Sequence, residues 1–149
     1  QALAEAGVIP GYLVLGPFEN AGGSMFSATL GVEDQPGLGR PHDGLSRAVR
    51  WRAVEDVGPS GMLALHDHLW PNDDALAAAL VFVQAPQAMD VALRVAASDQ
   101  LEVWVNGARR LSSDTMHPAA WDQHVVAVHF YHNLVFVRKG PNDESSTRK

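Results

Sequence analysis

From Met89 the apolar side chains occupy every second position, Met89, Val91, Leu93, Val95 and Ala97, with Asp90, Ala92, Arg94, Ala96 and Ser98 between them. A helix cannot keep such a row on one side, because its side chains return to a face only every ~3.6 residues, whereas a strand sends alternate residues to opposite faces. The run therefore predicts a strand with one buried face and one wetter face. Ser98, Asp99 and Gln100 interrupt it with short polar side chains that bond nearby backbone in turns. Leu101, Val103 and Val105 resume the alternation, with Glu102 and Trp104 opposite, and Asn106-Gly107 follows. That dipeptide suits the positive φ angles of a type I′ hairpin turn, so a return strand over 108–111 is expected. Residues 90–111 thus read as a meander of three strands and two tight turns, around which the other strands gather.

Those other strands can be placed in order. Tyr12-Leu13-Val14-Leu15 reads as a short apolar strand halted at Gly16-Pro17, with Phe18 plugging the edge of the core. Residues 19–47 form a long loop punctuated by Gly and Pro, and Met25, Phe26 and Leu30 suggest that it packs across the fold. Residues 48–54 alternate as a strand, with Arg50 and Arg52 on one face and Val49, Trp51 and Ala53 on the other. Gly61 opens a further strand through Leu65. Residues 75–85 carry alanines that suit a helix, but Leu80-Val81-Phe82-Val83 is β-branched and aromatic and Pro86 ends it. A buried central strand is expected there, with Val81 and Val83 on one side and Leu80 and Phe82 on the other. Residues 112–123 make a loop. His124 to Phe130 forms a strand, and Asn133 to Val137 is expected to return as its hairpin partner.

Composition bounds the partners. With 149 residues and no Cys, one domain with a substantial core is expected, and neither a disulfide framework nor a thiolate metal site. A net charge of −6 argues against nucleic acid and anionic membrane, which draw on Lys/Arg patches. No basic cluster stands out; Arg109-Arg110 and Arg138-Lys139 are isolated pairs. No run approaches the ~20 apolar residues of a membrane span. Residues 1–7 lack the basic head and apolar centre of a signal peptide. The fold extends over residues 1–139, and 140–149 reads as a flexible polar tail.

Three pieces of the chain resemble a known family. Ser98-Asp99-Gln100-Leu101-Glu102-Val103-Trp104-Val105-Asn106-Gly107 is similar to the S-D-D-G-x-x-V-W-x-N-G segment of galactose-binding-like jelly-roll domains. Leu13-Val14-Leu15-Gly16-Pro17-Phe18-Glu19-Asn20 resembles their opening W-x-V-x-G-P-F-x-N. Val126, Val128 and Asn133-Leu134-Val135-Phe136-Val137-Arg138 resemble their closing V-x-L-x-x-G-x-N-x-x-L-V-K. The pieces come in the family's order. The chain departs from the pattern where Tyr12 or Leu13 stands for the opening Trp, and where His129-Phe130-Tyr131-His132 fills the turn that carries a Gly. The family also runs one more strand after the position of Arg138. The resemblance implies an all-β jelly-roll sandwich of roughly eight or nine strands. It further implies an accessory domain of bacterial secreted proteins, in an extracytoplasmic setting, that binds carbohydrate or docks neighbouring protein domains.

If the ligand is a sugar, the rim loops carrying Trp70, Asp73, His117 and Trp121 would hold it. Trp and His would stack on the ring, while carboxylate and imidazole bond hydroxyls. The plainer reading is that Trp70 covers one end of the sandwich. Trp104 is either a cover for loops or a docking surface. His66 and His68, at i and i+2 on a strand, would point the same way and suit zinc if further ligands arrived, but two ligands make no closed site. No cofactor is expected; a structural calcium is compatible with Glu33 and Asp34, whose ordinary reading is a solvated loop face. There is no G-x-S-x-G elbow, H-E-x-x-H, Walker loop or Cys nucleophile, and Asp73-Asp74 would point oppositely on extended chain, unlike a glycosidase pair. A non-enzymatic module is expected. The alternative is a structural or oligomerisation domain of a larger protein with no small-molecule ligand.

Overall fold

The computed structural model describes residues 9, 11–20, 30–55, 63–70, 75–84, 87–97, 100–113, 124–130 and 133–139. Within them the chain forms β1 (Tyr12–Glu19), β2 (His42–Asp43), β3 (Ala48–Val49), β4 (Arg52–Val54), β5 (Ala75–Val83), β6 (Met89–Val95), β7 (Leu101–Val105), β8 (Ala108–Ser113), β9 (His124–Phe130) and β10 (Asn133–Lys139). A 3₁₀ turn at Leu65–Asp67 is the other regular element, and no α-helix occurs among the described residues. The protein is all-β. A six-stranded sheet runs in the order β4-β1-β5-β10-β7-β8, β6 pairs with β9, and β2 with β3, every pair antiparallel.

The large sheet is covered on both faces. One face carries Leu15, Leu76, Ala78 and Leu80, which pack with Phe18, Val32 and Val49 and are bordered by Leu13, Leu30, Trp51 and Trp104. The other face has two apolar patches. Val14 and Ala77 pack with Val54, Leu65 and Leu69. Leu101, Val103 and Val105 of β7 meet Val126 and Val128 of β9, with Val91, Leu93 and Val95 of β6 around them. The β6–β9 ribbon thus lies against the sheet by one face, while Asp90, Arg94, Val125 and His129 on its other face are exposed, and His129 Nδ1 sits 2.6 Å from Asp90 Oδ1. This is a sandwich-like packing of antiparallel layers.

The central strand is β5, paired with β1 on one side and β10 on the other. Ala75, Leu76, Ala77, Ala78, Ala79 and Leu80 are all buried. Double coverage explains why so apolar a run forms a strand, and the small alanines let the covering segments approach. The expected split holds: Val81 and Val83 join the β6–β9 side and Leu80 the opposite one. Phe82 shares Leu80's side by alternation but is 58 % exposed.

Several expectations are corrected. The apolar strand at residue 12 does not stop at Gly16-Pro17; it continues to Glu19 through a register shift between Leu15 and Phe18, with the Gly16–Pro17 peptide cis. Residues 48–54 divide into β3 and β4, because one piece pairs with β2 and the other with β1; Val49 and Val54 are buried while Ala53 is exposed. Leu65 belongs to the 3₁₀ turn and not to a strand. The meander is broken: β6 pairs with β9 and not with β7, so the chain changes sheet between Val95 and Leu101. Nor do β9 and β10 form a hairpin, since β10 enters between β5 and β7. The predicted hairpin is β7–β8, with Asn106 at φ 51° and Gly107 at φ 81°, both positive as a type I′ turn requires.

Candidate functional site

Trp70 is the one residue of the expected sugar rim that lies within the described residues; Asp73, His117 and Trp121 lie outside them. The backbone leading to it is fixed by a tight turn. Asp67 N–H donates to Ala64 O at 3.1 Å and His68 N–H to Leu65 O at 2.9 Å. Leu65 and Leu69 are both 6 % exposed and anchor the turn in the patch with Val14, Val54 and Ala77. Trp70 follows directly and is 74 % exposed. It does not cover the sandwich end.

The same turn overturns the strand geometry expected for His66 and His68. The backbone there is a 3₁₀ turn over Leu65–Asp67 with His68 at its end, and not a strand. Among the described residues no three His, Asp or Glu side chains gather to hold a metal ion.

Glu33 and Asp34 part company. Glu33 is buried, and its Oε1 accepts the Leu30 N–H at 2.9 Å, closing the turn that brings Val32 into the core. Asp34 is exposed, with its carboxylate beside the Gly107 turn. Glu102, expected on a wetter face, is 1 % exposed because residues 30–51 cover that side of β7. Its Oε1 accepts the Trp104 indole N–H at 2.7 Å, and Arg109 Nη1 stands 4.0 Å from its Oε2. A charged acceptor makes such a bond one of the stronger ones. Trp104 is therefore a half-buried cover over this layer.

Two clefts carry arginines. The first, about 430 Å³, lies where Arg109, Arg110 and Leu111 face residues 125–127. There Arg110 Nη2 donates to Ala127 O at 3.0 Å, tying β8 to β9 across the two sheets. The second, about 330 Å³, is lined by Gly16, Arg47, Ala48, Val49, Arg50, Trp51 and Arg52. Arg47, Arg50 and Arg52 are exposed, and among the described residues none has a carboxylate within 4.0 Å. Trp51 is half-buried, its indole N–H donating to Pro36 O at 2.7 Å.

No family model, curated protein or solved structure matches the chain. The sites therefore have to be argued from their own chemistry. The second cleft was missed by a sequence search for basic pairs. Its lining residues 47–52 fall where the chain divides between β3 and β4, a break that alternation alone does not mark. Among the described residues no helix is long and apolar enough to cross a membrane.

Proposed function

We propose that this chain is a non-catalytic accessory module of the galactose-binding-like jelly-roll type that binds carbohydrate through its rim loops. The jelly-roll reading draws support from nested pairing. β5 pairs with β10, β6 with β9 and β7 with β8, and the middle pair lies in a different sheet from the other two. Folding one long antiparallel ribbon over itself gives that pattern.

The observation that carries the functional reading is Trp70. An indole at 74 % exposure, held by a turn whose flanking leucines are buried, forgoes most of its apolar burial. An aromatic plate presented to solvent suits stacking on the C–H face of a sugar ring, with Asp73, His117 and Trp121, which lie outside the described residues, as the proposed partners. A glycan array probed with the folded protein, with and without calcium, tests this. Saturable binding to one sugar class is expected, with Trp70→Ala weakening it at least tenfold, about 1.4 kcal/mol, and leaving the circular dichroism unchanged. A folded protein that binds no glycan would instead favour the structural or oligomerisation role.

A further inference from the structure

We infer that the outer face of the β6–β9 ribbon is an interface for a second copy of this chain. The inner face is spent on the core, through Val91, Leu93, Val126 and Val128. The outer face consists of three directly opposed pairs, Asp90 with His129, Ala92 with Ala127 and Arg94 with Val125. All six residues are exposed. Val125 is 59 % exposed, an apolar side chain that a covering layer would take out of water. The outer edge of the large sheet is a poorer surface for association. There β8 carries Arg109 and Arg110 at an irregularity in its pairing with β7, a combination that discourages strand addition.

The charges on this face say which partner fits. Asp90 and Arg94 lie on β6 to either side of a middle row of two alanines, roughly 13 Å apart at the rise of a strand. A two-fold axis lying across the ribbon at that row turns one copy over onto the other. It sets Asp90 of each copy against Arg94 of the other, His129 against Val125, and each alanine against itself. A self-complementary contact needs this pattern, opposite signs at equal distances from the axis, and a face bearing one sign alone would repel its own copy. The alanines project no further than a methyl group, so the two ribbons can approach until the longer side chains at the ends meet. The Asp90 carboxylate is held at its end of the ribbon by His129 Nδ1–H, 2.6 Å away. Six residues a side is well under the roughly 20–30 of a standard interface, so the dimer is weak and concentration-dependent. It stands apart from the Trp70 reading and needs no glycan.

The test is sedimentation equilibrium over about 10 µM to 1 mM protein. Each copy has a net charge of −6 and repels the other at long range, so the runs are made at about 0.15 M salt, where charges farther apart than ~8 Å are screened. A monomer–dimer equilibrium is expected. Asp90→Arg leaves the face cationic and Arg94→Asp leaves it anionic, so each alone should weaken self-association at least tenfold. Mixing the two variants should restore association as a heterodimer, and so should Asp90→Arg with Arg94→Asp on one chain. Ala92→Arg sets a cation against its own copy at the axis without removing the Asp90–His129 bond, and should also leave a monomer. Circular dichroism checks that each variant is folded. The inference is overturned by a wild type that stays monomeric across the range, by dimerisation that the single exchanges leave unchanged, or by a mixture no more associated than its components.

Discussion

Tyr12 opens β1 where Val54 lies opposite it, and burial raises its phenol above the ordinary value of about 10, because the phenolate loses solvation that the neutral ring does not need. The folded state thus holds this proton more tightly than the unfolded chain. Its contribution to stability is complete below the unfolded value and is lost as pH rises through the folded one. Tyr12→Phe cannot ionise, so its urea midpoint should fall less than that of the wild type once the pH passes about 10. Absorbance at 295 nm should lose its late-titrating component in the same variant. Parallel alkaline profiles for the two proteins would disprove the assignment. At the same scale, Glu102 illustrates what period-two reading leaves out. Alternation says which side of β7 it occupies, but only the segment folded over that side decides that the side is dry.

At the scale of elements, the β7–β8 turn is where local sequence dictates geometry most directly. Gly107 holds φ 81°, and a Cβ there would stand 2.8 Å from Asp34 Oδ1. Gly107→Ala should therefore cost about 1–2 kcal/mol from the backbone alone, read as a lower urea midpoint with an unchanged m-value; an unshifted midpoint would contradict it. Strand existence was legible too: β1, β5, β6, β7 and β9 each rest on a run of alternating or continuous apolar residues, and β8 was expected as the return strand after Asn106-Gly107. Strand partners were not. Nothing in Asn133 to Lys139 states that its backbone will bridge β5 and β7 in place of the adjacent β9, since hydrogen-bonding edges are alike along any strand. Trp70 was legible as a candidate because an indole among polar loop residues is conspicuous. The cleft at residues 47–52 was not, because it forms where the chain breaks at Arg50-Trp51 between two strands with different partners.

At the scale of the molecule, the apolar layers on the two faces of the large sheet share β5 as a common wall. Truncating either layer should weaken the whole. Leu80→Ala, at a fully buried site on one face, should cost about 2–5 kcal/mol, and Val103→Ala, equally buried on the other, about 1.5–3 kcal/mol. Both should lower the same single thermal transition, by about 2–4 °C for each kcal/mol in a chain of this size. Two separable transitions, each sensitive to one substitution, would contradict a shared wall. The seat of β10 carries a consequence for the order of events during synthesis. The strand that joins β5 to β7 is the last of the described strands to leave the ribosome, so until then both neighbours present bare hydrogen-bonding edges. Until then the β5 and β7 sides of the large sheet share no backbone ladder. Those edges are the ones a chaperone, or a second nascent copy, would meet first.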